Sequence, residues 1–194
     1  MRIGIIGDTH GSQQAIRKAL QLLPPVELLL HTGDHASDAN LLKTLTGLPI
    51  IKVSGNCDSA DSANPDEIFD KEGFNIWLTH GHKYFHHGEI GELAWWAHRL
   101  ETSIVVYGHT HVPMDEIRNG VRCINPGSVS LPKGGSEHQC LLYNDGKFDV
   151  ILLDGYEKNF ANRRHRNFGQ LCCHRVADFG PSCGLYRAQR HDGL

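Results

Sequence analysis

The chain has no apolar run that approaches the roughly 20 residues needed to span a bilayer. Its first residues are MRIGIIGDTHG, which contain no basic segment, no long apolar segment and no cleavage site. Secretion through a signal peptide is therefore not favoured, and we expect a cytoplasmic protein without membrane insertion. The length of 194 residues predicts one domain, with room for an appendage.

The sequence also lacks a strong excess of charge of one sign, since its formal net charge is −3. This balance does not favour general binding to nucleic acid or to anionic membranes. The six cysteines show no paired metal-binding spacing, so we interpret them as reduced thiols. Histidine is abundant instead, with 14 residues, many of them beside glycine or aspartate. That abundance favours metal binding or acid–base chemistry.

Residues 156–194 differ in composition from the rest of the chain. This segment carries a net charge of about +4, against −7 for residues 1–155, and shows no clear strand or helix period. We predict a domain over 1–155 and a poorly ordered basic tail over 156–194. Two other interpretations remain open: binding of nucleic acid or an acidic partner, and a read-through or frame-shifted end of a domain finishing near Asp154.

One pattern recurs along the domain: a short apolar run, typical of a buried strand, is followed by a tight turn with glycine and Asp, Asn or His. The turns are Gly7-Asp8-Thr9-His10-Gly11, His31-Thr32-Gly33-Asp34-His35, Ser54-Gly55-Asn56-Cys57-Asp58, Thr79-His80-Gly81-His82, Gly108-His109-Thr110-His111 and Asn125-Pro126-Gly127-Ser128. Ligands of open α/β sheets bind beyond the carboxyl ends of strands. We therefore expect these turns to meet at one rim.

Helical patterns separate the early strands. Ser12 is expected to cap the N-terminus of a first helix, and two more helices are expected at about 38–46 and 89–100. This alternation predicts a parallel sheet with crossover connections. After Val112 the pattern indicates antiparallel hairpins, with a strong turn signal at Asn144-Asp145-Gly146-Lys147. The expected fold is two packed sheets flanked by helices.

The polar turns supply the side chains that two divalent cations require, namely carboxylate oxygens and imidazole nitrogens. The candidate ligands are Asp8, His10, Asp34, Asn56, His80, His109 and His111. Each residue alone also has a structural explanation, because a Gly-Asp pair is commonly just a turn and a lone histidine is commonly a packed residue. Their repeated placement after successive strands favours a joint role in binding phosphate through metal ions.

These five turns, from Gly7-Asp8-Thr9-His10 to Gly108-His109-Thr110-His111, resemble in order the motifs of calcineurin-like metallophosphoesterases. The resemblance is strongest to the small bacterial and archaeal phosphodiesterases. It covers residues 1 to about 154 and includes Asn125-Pro126-Gly127-Ser128.

The resemblance implies a four-layer αββα sandwich of two mixed sheets. It also implies a dinuclear site, with manganese expected and iron, nickel or zinc as alternatives. Asp8, His10, Asp34 and His111 would hold the first ion, with Asp34 bridging. Asn56, His80 and His109 would complete the second. A bridging hydroxide would then attack the phosphorus of a small phosphate ester.

One position departs from the wider family, in which a histidine that protonates the leaving group follows the asparagine. Cys57 stands there, and a thiol is a poor substitute for an imidazole. Good leaving groups would then be favoured, or His35 or His82 would serve instead. Cys57 also has a simpler interpretation as a small packed residue. Our predicted catalytic set is Asp34, Asn56, Asp58 and His82.

Protein phosphatases of the family carry an arginine after the second aspartate, whereas here Asp34 is followed by His35-Ala36-Ser37. We therefore predict a phosphodiesterase. The alternative hypothesis is a catalytically weak or inactive scaffold of the same fold in protein–protein assembly, as in the eukaryotic retromer subunit. A third idea, nucleic-acid binding through the basic tail, depends on composition alone. Trp95-Trp96 leaves an oligomer contact open.

Overall fold

The computed structural model describes residues 1–71, 74–85 and 89–153, and the backbone of a further strand at 157–159. The predictions for residues 160–194, including the thiols of Cys172, Cys173 and Cys183, lie outside the described residues. Cys57, Cys123 and Cys140 are free thiols, as predicted. In the described part of the chain, none of the helices has the length and apolarity that crossing a membrane requires.

Eleven strands and three helices form within the described residues. The helices are α1 (Gln13–Leu22), α2 (Asp38–Thr46) and α3 (Ile90–Arg99). The strands are β1 (Arg2–Ile6), β2 (Leu28–His31), β3 (Ile50–Lys52), β4 (Asp66–Lys71), β5 (Phe74–Thr79), β6 (Ile104–Val106), β7 (Met114–Arg118), β8 (Val121–Asn125), β9 (Gln139–Asn144), β10 (Lys147–Leu152) and β11 (Glu157–Asn159).

The strands form two mixed sheets. The six-stranded sheet has the order β11-β10-β9-β1-β2-β3, and the five-stranded sheet has the order β4-β5-β6-β8-β7. β1, β2 and β3 are parallel, as are β5, β6 and β8. The predicted hairpins β7–β8 and β9–β10 are antiparallel. The β9–β10 turn has positive φ at Asp145 (45°) and Gly146 (85°), the pair of conformations that a type I′ turn requires.

Three apolar clusters define the layers. One lies between the sheets and includes Ile3, Leu30 and Ile76. A second packs α1 and α2 against the outer face of the six-stranded sheet, and a third packs α3 against the five-stranded sheet. The predicted four-layer αββα sandwich is thereby confirmed. Each helix buries one apolar face and each sheet buries both of its faces, and this burial of apolar surface drives the stacking of the layers.

Two strands that the sequence did not predict, β4 and β11, lie at the edges of the sheets. β4 does not correspond to any of the short apolar runs that the sequence predicts as strands. Its sequence DEIFDK carries four charges, a composition that suits an edge strand with one neighbour. β11 lies beyond the predicted domain boundary at 155, where it pairs with β10. The boundary itself stays a prediction.

Candidate metal centre

The seven predicted ligands come from five turns, each of which follows a strand of one of the two sheets. Asp8 and His10 follow β1, Asp34 follows β2, and Asn56 follows β3 in the six-stranded sheet. His80 follows β5, and His109 and His111 follow β6 in the five-stranded sheet. Because the two sheets pack face to face, the turns meet at a shared rim, as predicted.

Four of these residues form a compact cluster. The potential ligand atoms of Asp8, His10, Asp34 and His111 all lie within 4.8 Å of one another. His10 Nε2 is 3.1 Å from His111 Nε2 and 3.6 Å from Asp34 Oδ2. His111 Nε2 is 3.6 Å from Asp8 Oδ1. Nitrogen and carboxylate oxygen in this arrangement suit a borderline divalent cation.

The other three residues converge on a second point. Asn56 Oδ1 lies 3.1 Å from His80 Nε2 and 2.9 Å from His109 Nδ1. His80 Nε2 is also 3.4 Å from Asp34 Oδ1. Asp34 therefore presents one oxygen to each group, with Oδ2 toward His10 and Oδ1 toward His80. A carboxylate placed in this way can bridge two cations.

Backbone carbonyls orient two of the imidazoles. His80 Nδ1 donates to Thr32 O at 2.8 Å, and His111 Nδ1 donates to Leu131 O at 2.6 Å. Each bond fixes the tautomer, so that Nε2 carries the lone pair that faces the cluster. Outer hydrogen bonds of this kind hold metal-binding histidines in position.

The backbone at the site adopts a conformation that side chains seldom occupy. Five candidate ligands have left-handed φ angles: Asp8 (46°), His10 (46°), Asp34 (51°), His109 (66°) and His111 (57°). Such residues cost energy and persist where the surrounding structure enforces them. Their concentration at one rim shows that the fold strains its backbone to bring these side chains together.

Two glycines allow the turns to approach closely. A Cβ on Gly55 would stand 2.2 Å from Asp34 Oδ1 and 2.5 Å from Asp34 N. A Cβ on Gly108 would stand 2.9 Å from Asp8 Oδ2. Any side chain at either position would displace a ligand carboxylate, so glycine is required by space and not only by backbone freedom.

The electrostatics of the cluster suit a cation. Asp8 is fully buried, and among the described residues its Oδ2 has no hydrogen-bond partner. Burial raises the pKa of Asp8 well above its ordinary value, because a charged carboxylate is costly in an apolar interior. Burial likewise lowers the pKa of His80 to about 4, which leaves its ring neutral and able to ligate. A buried, unpartnered carboxylate oxygen beside neutral imidazoles fits a metal ion.

The structure also identifies supporting residues that the sequence did not single out. Asp38 Oδ2 accepts from Thr9 Oγ1 at 2.6 Å and from Gly11 N at 2.9 Å, and these donors flank His10. Thr9 Oγ1 is also 3.0 Å from Nε2 of the buried His31. In the sequence, Asp38 looks like an ordinary helix-start acid, since its contact to residue 9 is long-range.

The turn after β8 supports the first cluster through hydrogen bonds. Ser128 Oγ and Ser130 Oγ both donate to Asp8 O, at 2.8 and 2.9 Å. Asn125 Nδ2 donates to Gly108 O at 2.7 Å and to Thr110 Oγ1 at 3.1 Å. These bonds fix the turns that carry Asp8 and His109.

Asp58, which we predicted to be catalytic, joins two ligand turns. Its Oδ1 accepts from Ala36 N at 2.7 Å, and its Oδ2 accepts from Gly55 N at 2.8 Å. Both oxygens are thus engaged with backbone amides next to Asp34 and Asn56. The arrangement supports a positioning role, and direct participation in catalysis stays a prediction.

The candidate proton donors lie beside both ligand groups. The His82 ring centroid is 5.3 Å from that of His80 and 6.1 Å from that of His109 in the second group. His35 lies beside the first group, with its ring centroid 5.9 Å from that of His10. Cys57 is exposed, and its backbone N–H donates to Asp34 Oδ1 at 2.9 Å. Desolvation, together with the charge of Asp34, raises the pKa of the Cys57 thiol.

Comparison with known proteins gives concordant results. A sequence profile of the calcineurin-like phosphoesterase superfamily domain matches residues 1–146. A protein named probable metallophosphoesterase, from Methanothermobacter thermautotrophicus, is 32% identical over 159 residues, which covers 79% of this chain and 92% of that protein. Phosphodiesterase YfcE of Escherichia coli K12 is 29% identical over 178 residues, which covers 79% of this chain and 93% of YfcE.

Solved structures share the fold. YfcE, described as a phosphoesterase from E. coli, matches with a TM-score of 0.65 at 27% identity, over 81% of this chain and 96% of that one. A single mutant of Vps29 from Entamoeba histolytica also matches with a TM-score of 0.65, at 25% identity and the same coverage of both chains. The αββα architecture derived above therefore agrees with that of solved relatives.

Proposed function

The chain belongs to the calcineurin-like phosphoesterase superfamily, and from this premise we propose that it is a dinuclear phosphodiesterase that hydrolyses small phosphate esters. The observation that carries the proposal is the placement of Asp34, whose two oxygens face two separate ligand groups. A carboxylate in this position can contact a cation in each group.

In this proposal Asp8, His10, Asp34 and His111 hold the first cation, and Asn56, His80 and His109 join Asp34 around the second. Manganese is the proposed metal, with iron, nickel and zinc as alternatives, since mixed nitrogen and oxygen ligands accept several divalent ions. When bound, the two cations supply positive charge for the phosphate and lower the pKa of water at the site.

The protein's own contribution is positioning. The hydrogen bond from Cys57 N fixes Asp34 Oδ1, and the bond from His109 N at 3.1 Å fixes Asp8 Oδ1. Asn56 lies between the His80 and His109 rings, so that its amide oxygen reaches both. Ligands held before the substrate arrives avoid reorganisation during the reaction.

A preference for diesters with good leaving groups follows from the proton donors near the site, because a good leaving group needs little protonation. The raised thiol pKa makes Cys57 a poor proton donor to a departing alkoxide. His82 is the proposed substitute, because it lies next to both His80 and His109. No arginine follows Asp34, which agrees with a diesterase more than with a protein phosphatase.

The test is turnover of bis-p-nitrophenyl phosphate by purified protein with manganese, together with metal analysis. We expect two ions per chain and turnover in the wild type. Asp34→Asn keeps the side-chain volume but removes the charge, and it should abolish turnover, as should His109→Ala. Lys43→Ala, on an exposed position of α2, serves as the matched control and should behave as wild type.

A folded wild-type protein that holds metal but turns over no ester, and that captures a partner chain, would favour the scaffold alternative. One ion per chain would contradict the dinuclear site. Cytoplasmic location, an oligomer contact at the exposed Trp95 and nucleic-acid binding through the basic tail remain predictions from the sequence.

A further inference from the structure

His31 is a fully buried histidine at the end of β2, and it is not one of the seven candidate ligands. Its Nδ1 lies 3.3 Å from Gly33 N, and its Nε2 lies 3.0 Å from Thr9 Oγ1. Gly33 precedes Asp34 in the chain, and Thr9 precedes His10. The imidazole therefore connects the turns that follow β1 and β2.

The hydrogen bonds of Thr9 determine the direction of this contact. Thr9 Oγ1 carries one proton, and the carboxylate oxygen Asp38 Oδ2, at 2.6 Å, is a nearer acceptor than Asp34 O, at 3.4 Å. A carboxylate only accepts, so the hydroxyl donates to Asp38, and His31 Nε2 must donate to the hydroxyl. Burial lowers the pKa of His31 to about 4, which leaves the ring neutral, with Nδ1 as the acceptor of the Gly33 N–H. The chain of bonds therefore begins at the Gly33 N–H and ends at the Asp38 carboxylate.

Asp38 is bonded to the residues on both sides of His10. The same Oδ2 atom that accepts from Thr9 also accepts from Gly11 N, at 2.9 Å. His10 itself has a left-handed φ of 46°, a conformation that is costly for a residue with a side chain and that persists where the surrounding structure enforces it. The two bonds to Asp38 are placed to enforce it.

His10 depends on its backbone for its position more than His80 and His111 do. The Nδ1 atoms of His80 and His111 each donate to a backbone carbonyl. Among the described residues, no carbonyl accepts a hydrogen bond from the His10 ring, whose Nε2 lies near His111 and Asp34. The main chain at residues 9–11 therefore sets the position of the His10 ring.

We propose that Asp38 is a positioning residue of the first cation site, which acts through Thr9 and Gly11 to hold His10 in place. The proposal rests on the dinuclear function proposed above. Asp38 does not touch the ligand atoms themselves, since its bonds go to the two neighbours of His10. His31 extends the same chain of bonds to the second turn of the centre.

The two cation sites should respond differently when the Thr9 hydroxyl is removed. Asp34, which the sites would share, keeps its hydrogen bond from Cys57 N, and His80 keeps its bond to Thr32 O. Outer hydrogen-bond partners of metal ligands are typically worth about 10- to 100-fold in metal affinity. We therefore expect loss of the hydroxyl to weaken the first cation by this factor and to leave the second at its wild-type affinity.

The experiment is a manganese titration of the full-length, metal-free protein, in which electron paramagnetic resonance measures the free ion. His10→Ala and Asn56→Ala identify the affinity class that belongs to each ligand group. Thr9→Val keeps the side-chain volume but removes the hydroxyl, and it should weaken the His10 class by about 10- to 100-fold. Thr9→Ser keeps the hydroxyl and should restore the affinity. Thr44→Val is the matched control, because that exposed hydroxyl donates to Asn40 O within α2, and it should bind both ions as the wild type does.

Two further measurements keep the test independent of the folding of one variant. Asp38→Ala removes the acceptor but leaves a residue that favours helix, and it should show the same selective loss. Two-bond proton–nitrogen correlation spectra of the metal-free wild type distinguish the imidazole tautomers. At neutral pH, His31 should carry its proton on Nε2.

The positioning role is overturned if both affinity classes weaken equally, if neither weakens, or if His31 carries its proton on Nδ1. Turnover of bis-p-nitrophenyl phosphate is measured separately. A selective loss in a protein whose wild type hydrolyses no ester removes the proposed function and leaves the positioning role standing. If the wild type binds a single ion, the dinuclear function fails, and the positioning role stands only if Thr9→Val weakens that ion as His10→Ala does.

Discussion

Gly55→Ala is a small change that should disrupt the candidate metal centre. The new methyl carbon would stand 2.2 Å from Asp34 Oδ1 and 2.5 Å from Asp34 N, although real Cβ contacts are essentially never under 3.0 Å. Rotation of the Asp34 side chain could relieve the first contact only. The second involves backbone, so one of the two turns has to move by roughly 0.5–1 Å to restore ordinary packing.

The expected loss can be scaled from this displacement. A misplacement of about 1 Å in a catalytic arrangement costs about 100-fold in rate. The strain of the inserted methyl group should also destabilise the fold by about 1–3 kcal/mol. Because Asp34 Oδ1 is also bonded to Cys57 N and faces His80, the shift should weaken the proposed bridge between the ions as well.

The assay combines manganese content, thermal unfolding and turnover of bis-p-nitrophenyl phosphate. Gly91→Ala is the matched control, because a Cβ there meets nothing within 4 Å and the residue lies in α3. It should leave activity unchanged and stabilise the fold by up to about 1 kcal/mol, since alanine favours helix. A Gly55→Ala protein with two bound ions, wild-type melting temperature and activity within about 3-fold of wild type would refute the reasoning.

Three further predictions follow from neighbouring residues. Burial lowers the pKa of His31 from 6.5 to about 4, so the unfolded chain binds the proton first and stability falls as pH drops through this window. Between pH 7 and pH 4 the free energy of unfolding of the metal-free protein should fall by about 3 kcal/mol. Metal-free His31→Gln should not show this fall when it is measured by denaturant titration. Asp58→Asn should weaken manganese binding by about 10- to 100-fold in chelator competition, because one backbone amide loses its acceptor; unchanged affinity would argue against positioning. Cys57→His should raise turnover of phenyl esters relative to p-nitrophenyl esters by about 10-fold or more, and an unchanged ratio would locate the proton donor elsewhere.

The local sequence was sufficient to predict most of the architecture. Apolar runs and turn signals predicted nine of the eleven strands at least in part, and apolar stripes at helical spacing predicted α1, α2 and α3. β4 was missed because its DEIFDK sequence is dominated by charge, and an edge strand needs little apolar surface. β11 was missed because the segment after residue 155 shows no alternation of apolar and polar residues.

The residues of the candidate metal centre could be named from the sequence because chemistry restricts them. Carboxylate, imidazole and amide groups after strand ends are the side chains a pair of divalent ions requires, and their order resembles one family. The supporting contacts were not predictable in this way. Asp38 looks like an ordinary surface charge in the sequence, although its partner Thr9 lies in another turn. Asp58 was predicted to be catalytic, but its hydrogen bond from Ala36 N was not predicted.

The sequence by itself thus determined most of the strands, the three helices and the choice of seven candidate ligand side chains, because each depends on short-range patterns of apolar and polar residues. Only the tertiary structure decided that His10 and His111, 101 residues apart, place their Nε2 atoms 3.1 Å from each other. It alone decided that Asp34 divides its two oxygens between two groups. The physical reason is that packing of the two sheets over a common core sets these distances, and no local pattern records how the sheets meet.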